Sequence, residues 1–186
     1  MNTEIQNVSP LKTALKWGLI LGLTEVVSHL VFYLMGKPIT FMTTVIYFIL
    51  LVSFFIVGIQ NYRDKELGGF ISWKQGFVMA FLIGLFGALV YMTYYIVIVS
   101  LDKQVFIDAN IQKLTEGIEK MKDYISDEEA LAKIEDSMVE GIDKIKAMSP
   151  LQFGINQLTN SIIATVLVGL IIPALLKKKD PNSFEI

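Results

Sequence analysis

The chain contains no cysteine and a single histidine, His29, among its 186 residues. Without thiols there is neither a disulfide framework nor a thiolate metal site, and cysteine usage leaves the redox compartment open. One imidazole cannot build a zinc centre of the usual His/Cys type. Glu25 with His29 offers at most two ligands from one chain, so no metal site is expected. A formal net charge of −2, with lysines scattered along the chain, provides no basic footprint for nucleic acid. There is also no glycine-rich phosphate loop and no nucleophile elbow. These absences argue against an enzyme, and neither catalytic residues nor a cofactor is expected.

What the chain does have is apolar length. Hydrophobic residues make up 53% of it and its mean hydropathy is +0.55, where an ordinary soluble domain is ~45–50% apolar. Four stretches, Trp17–Met35, Ile39–Ile59, Phe77–Leu101 and Ile155–Leu176, are each long enough to cross a bilayer. Only as a helix can ~20 consecutive residues sit in hydrocarbon with every backbone group hydrogen-bonded within the segment. Helices are therefore expected over about 12–35, 39–59, 76–101 and 152–176. The first stretch exceeds a signal core of ~7–15 residues and no small-residue cleavage pattern follows it, so it reads as a retained span.

Basic residues set the expected orientation. Lys12 and Lys16 precede the first span, Arg63, Lys65 and Lys74 lie between the second and third, and Lys177, Lys178 and Lys179 follow the fourth, while the first connection holds only Lys37. With four crossings these clusters share one side, and the positive-inside rule makes that side, with both termini, cytoplasmic. Trp17 and Trp73 fall near the same ends, as interfacial anchors do. Residues 102–150 then face outward, with twelve carboxylates against seven lysines.

That outward block has helical periodicity. Ile111, Leu114, Ile118, Met121 and Ile125 recur at steps of three and four, the apolar seam of a helix that packs on another. Ser126 with Glu129 is a capping-box signature for a second helix, whose apolar face is Leu131, Ile134, Met138, Ile142 and Ile145. The fold class is thus all-α: four transmembrane helices with an extramembrane helical hairpin between the third and fourth, the third span running on into the first arm. Periodicity does not separate a hairpin that zips against itself from a coiled coil that docks a partner. Gly117 and Gly141 weaken the arms.

Small residues recur every four positions in three spans: Ala14, Gly18 and Gly22; Gly76, Ala80, Gly84 and Ala88; Ser161, Thr165 and Gly169. In lipid there is little hydrophobic drive between helices, so close backbone approach through such stripes joins them. Spans one, three and four are expected to form the packed core, and span two, lacking a stripe, to flank it against lipid. Successive residues advance ~100° around a helix, which puts Glu25 and His29 on the small-residue side of span one. Tyr91, Tyr94 and Tyr95 from span three and Gln157 and Ser161 from span four reach similar depth. The candidate intramembrane site is therefore Glu25, His29, Tyr91, Tyr94, Gln157 and Ser161. Asn156 and Asn160 match in depth but lie off the small-residue face. A buried carboxylate at mid-membrane costs at least ~2.5–3.5 kcal/mol, so such a residue marks a pathway, a binding site or a paired structural contact. Glu25 and His29, one turn apart, are close enough to share a proton or hydrogen bond.

The run Tyr62-Arg63-Asp64-Lys65-Glu66-Leu67-Gly68-Gly69-Phe70-Ile71-Ser72-Trp73-Lys74-Gln75-Gly76-Phe77 resembles the Gly-Gly, apolar, Ser, aromatic, Gly/Ala pattern before the third helix of the domain-of-unknown-function family numbered 4199. Those are small bacterial membrane proteins, and span order with a late acidic loop extends the similarity over nearly the whole chain. The resemblance implies a bacterial cytoplasmic membrane and carries over no activity or site residue. Physically, Gly68-Gly69 permits a tight turn, and Phe70, Ile71 and Trp73 re-enter at the interface. Two function classes follow. One is a nonenzymatic membrane module that associates with itself or another protein through its bundle or residues 104–148; the other is a small proton-responsive transporter or ion pathway using Glu25 and His29. The sequence alone favours the first.

Overall fold

A computed structural model describes residues 9–178 other than Asp123, Ser126 and the side chain of Glu128. Six helices run in chain order: α1 Leu11–Leu34, α2 Phe41–Glu66, α3 Trp73–Leu101, α4 Lys103–Lys122, α5 Glu128–Ala147 and α6 Pro150–Leu176. Among the described residues there is no named strand. Four of the six, α1, α2, α3 and α6, are long and apolar enough to cross a membrane, as in a multi-pass membrane protein. Lys179 and the Ser126 cap lie outside the described residues.

Local chemistry fixes the ends of these helices. Capping boxes start α2 (Thr40 with Thr43), α3 (Ser72 with Gln75) and α6 (Ser149 with Gln152), with Pro150 in the first turn of α6, where its missing N–H is not needed. At the other end of α1, Gly36 takes φ +71° while its N–H donates to the Tyr33 carbonyl and that of Lys37 to Phe32, a Schellman closure. Asp127 caps α5 by accepting from the Glu129 N–H. Relative to expectation, α2 extends to Glu66 rather than Ile59, and α3 does not run on into the hairpin: the chain breaks at Asp102 and restarts as α4.

The central helix is α3, which packs most extensively on α6 and α1, with α2 laid against all three. These contacts are close. A methyl group added at Gly84 would stand 2.3 Å from the Thr165 hydroxyl oxygen, one at Gly18 2.6 Å from Phe86 Cβ, one at Gly22 2.7 Å from the Gly87 carbonyl and one at Gly76 2.9 Å from Pro173 Cβ. A methyl group at Gly169 would have more room, 3.6 Å from Ala80 Cβ, and Ala80 and Ala88 are buried. Large apolar side chains point away from the bundle on the four long helices, among them Val27, Phe41, Val97 and Leu175. That outer surface suits hydrocarbon and not water.

α2 is more than a lipid-facing flank. Although it buries the smallest share of its apolar window, 22% against 44% for α3, Leu51, Phe55 and Ile59 are fully buried in the core. It approaches mainly through large side chains, with one close glycine contact: a methyl group added at Gly58 would stand 2.3 Å from Ile83 Cδ1.

The basic end of the bundle is tied off by the chain around Gly68 and Gly69, which both take positive φ. Ile71 is buried and exchanges two backbone hydrogen bonds with Lys178, each 3.0 Å, and the Trp73 indole N–H donates to the Leu170 carbonyl. Thr13 donates to the Glu66 carboxylate and Arg63 reaches the Leu176 carbonyl, so α1, α2 and α6 are joined there. At the opposite end α4 and α5 form an antiparallel pair, with Leu114 lying 3.0 Å from where a Gly141 Cβ would be and Lys122 bridging to Glu135 at 2.6 Å. The hairpin does not stand clear of the bundle. Phe106 and Ile107 in the first turn of α4 are buried within it.

Candidate functional site

α1 carries Glu25 and His29 inward because both continue the face of Gly18 and Gly22, which the close contact with α3 fixes. Glu25 is 6% exposed and His29 8%. Beside them a cavity of about 330 Å³ lies among α1, α2, α3 and α6, bordered at the hairpin end by the Pro38–Ile39 connection and α4. Glu25 lies nine residues before the end of α1, which places it ~14 Å below that end. Among the described residues no hydrogen bond or ion pair reaches its carboxyl group; its electrostatic neighbours are the Tyr47 and Tyr91 hydroxyls.

Five of the six expected site residues line this cavity: Glu25, His29, Tyr91, Gln157 and Ser161. The sixth, Tyr94, stands behind it and is hydrogen-bonded to His29 Nδ1 at 3.0 Å. Gln157 donates to the Ser161 hydroxyl at 3.4 Å, and that hydroxyl also interacts with Tyr47. Among the described residues no hydrogen bond joins Glu25 to His29, so they do not form the pair that their spacing suggests. His29 instead sits in an aromatic enclosure. Tyr91, Tyr94 and Tyr95 meet its ring edge-to-face at 5.6–5.7 Å and Phe106 stacks at 6.0 Å. Its Nε2 is buried, with no polar partner among the described residues. Phe106 also stacks on Tyr33, whose hydroxyl donates to Asp102. The imidazole thus fastens α1, α3 and α4 together, and the carboxyl group of Glu25 is left to the cavity.

Sequence reasoning missed one wall and the mouth. Thr43, Thr44 and Tyr47 bring α2 to the cavity, Asn160 faces it from α6, and Asn110 and Lys113 border it from α4. Asn156 does not line it; its amide contacts the Met148 sulfur. The signal in α2 was present: Thr44, Tyr47, Leu51, Phe55, Gly58 and Tyr62 follow steps of three and four, an inward stripe of mixed size in which large residues predominate. Small-residue seams draw α1 and α6 onto α3, and α2 closes on the same core at Gly58, Leu51, Phe55 and Ile59; nearer the hairpin end the side chains of α2 shorten to Thr43 and Thr44, where the cavity lies.

A second hollow of about 370 Å³ adjoins the mouth between the α1–α2 connection and α4, lined by Lys37, Thr40, Gln112 and Glu116 among others. Pro38, Ile39 and Lys113 border both spaces. No group of three or more potential metal ligands occurs among the described residues.

A family model described as a protein of unknown function (DUF4199) matches residues 16–178. No curated protein and no solved structure matches the chain.

Proposed function

The chain belongs to this family of unknown function, and we propose that it binds a small polar solute inside the membrane, in the cavity that ends at Glu25. The observation that carries this reading is the unpaired carboxyl group. A structural glutamate in a bundle interior is expected to be hydrogen-bonded to a neighbouring helix, because an unsatisfied ionisable group there is costly. Glu25 has no such contact and borders space instead. The volume is at the low end of the ~300–1,000 Å³ typical of ligand sites, which suits a molecule of few heavy atoms and no lipid. Polar groups from α1, α2, α3 and α6 line the cavity, while the outer faces of those helices are apolar.

The placement of Lys12, Lys16, Arg63, Lys65, Lys74 and Lys178 supports a cytoplasmic basic end. On that orientation the cavity opens outward and a solute enters from outside the cytoplasmic membrane. The role is nonenzymatic, a transporter or a solute sensor. Four spans are few for an alternating-access carrier, so transport calls for an oligomer. Thermal unfolding in mild detergent with a panel of small charged and uncharged solutes tests the reading. A ligand at one hundred times its Kd stabilises by about 2.7 kcal/mol. At least one solute class should raise the Tm of the wild-type protein and leave Glu25→Gln and the cavity-filling Ser28→Leu unmoved; no stabilisation by any class overturns the reading.

A second reading, a module that associates through residues 104–148, is supported by one feature: Met121, Tyr124 and Val139 expose more than half of their surface on the hairpin. Because Phe106 belongs to the bundle core, its test removes only residues 115–140. Loss of crosslinked species with unchanged membrane abundance supports association; an unchanged crosslinking pattern rejects it.

A further inference from the structure

We propose that the solute is a small zwitterion that binds with its ammonium group at Glu25 and its anionic group at Lys113. The inference rests on the cavity being a solute site and adds the class of molecule that it takes. Two groups able to carry opposite charges stand at its two ends, and among the described residues neither is paired within the protein. Glu25, 6% exposed, forms the floor. Lys113 is exposed at the mouth, borders both the cavity and the outer hollow, and forms no ion pair among the described residues. The nearest carboxylate along α4, Glu116, accepts the Gln112 amide at 2.7 Å instead. Lys37 lines the same outer hollow, so that space holds two lysines and one glutamate.

A simple anion would be held at the lysines and would meet an acidic floor. A simple amine would find its counter-charge at Glu25 but would pass a basic mouth that repels it. A molecule with both groups satisfies each end, and its order of charges is fixed. Tyr47, Tyr91 and Tyr95 border the cavity between these ends. Aromatic faces favour an ammonium group and its attached methylenes, at about 0.5–2 kcal/mol per cation–π contact. The hydroxyl groups of Ser28, Thr44 and Ser161 supply hydrogen-bond donors and acceptors without charge.

The test is calorimetric titration of the full chain in lipid nanodiscs with three probe families of matched carbon number: ω-amino acids of three to six carbons, n-alkylamines and n-alkanoates. The proposal expects at least one ω-amino acid to bind at least tenfold more tightly than both its amine and its alkanoate. Lys113→Ala, an exposed substitution, should lower the ω-amino acid affinity to that of the amine without weakening amine binding. Glu25→Gln should weaken both. An amine that binds as tightly as its ω-amino acid, with Lys113→Ala without effect, overturns the zwitterion assignment while the solute site survives. Absence of binding by all three families, together with no response in the wider thermal panel, overturns both. Equal loss of all ligands in Lys113→Ala also contradicts the proposal, because it assigns Lys113 to the anionic group alone.

Discussion

The four-helix bundle and the hairpin use opposite rules to hold helices together. In the bundle, Gly84, Gly18 and Gly22 lie where one added carbon would collide with the facing helix, whereas Gly117 on the hairpin has nothing within 4 Å of an added carbon. The apolar seam of α4 and α5 is only half-buried beyond Ile107, and one cross-arm ion pair reinforces it. Lipid offers no gain for burying leucine, so the bundle depends on close approach; water does, so an amphipathic stripe suffices for the hairpin. Between the two regimes lies α2, which belongs to the bundle and, apart from Gly58, packs with large side chains, and the cavity lies beside its hairpin-proximal half.

The contrast breaks most visibly at its tightest point. Phe106→Ala should destabilise the protein by about 3–5 kcal/mol, because the ring is fully buried between Tyr33, His29 and Tyr95. Limited proteolysis should then cut the hairpin faster than the bundle. Gly84→Ala should cost about 1–3 kcal/mol by overpacking Thr165, seen as a lower Tm in detergent, with larger residues there preventing assembly. The same kind of change has the opposite sign on the hairpin. Gly117→Ala should raise stability by about 0.5–1 kcal/mol, since it removes backbone freedom from a helix interior without a clash, and circular dichroism melting checks it. The smallest effect is electrostatic. Lys122, by hydrogen bond and charge, holds the exposed Glu135 carboxyl below its ordinary value of 4.5. Its contribution is therefore fully present above that value and disappears as pH falls through the lowered value of the folded hairpin. Acidification should loosen the hairpin slightly, Glu135→Gln should remove that pH dependence, and high salt should mask it.

Much of this was readable in the sequence because period and depth suffice for it. Hydropathy located α1, α2, α3 and α6, and the three small-residue stripes identified the faces that pack. Counting turns from Gly18 and Gly22 placed Glu25 and His29 inward, and matching depth brought Tyr91, Gln157 and Ser161 to the same cavity. Tyr47 was not legible because the inward face of α2 carries no repeating small-residue stripe: Gly58 stands among large side chains. Lys113 and Asn110 escaped for a different reason. They belong to a segment whose charge assigned it to water, and nothing local to residues 103–113 reveals that Phe106 folds back into the bundle. The supposed Glu25–His29 pair failed on competition: spacing permits it, but three tyrosines and Phe106 surround the imidazole and Tyr94 takes its Nδ1.

The absence of cysteine makes the decisive measurement clean, since any introduced thiol is the only one. Ser28→Cys places a thiol on the cavity wall, and Val27→Cys, one residue earlier, places it on the outer face, where valine is 63% exposed. In intact membranes a small, neutral, water-soluble thiosulfonate applied from the hairpin side should modify Ser28→Cys rapidly and should leave Val27→Cys unmodified. Equal reactivity at both positions, or none at Ser28→Cys, would contradict a solute-accessible cavity within the membrane.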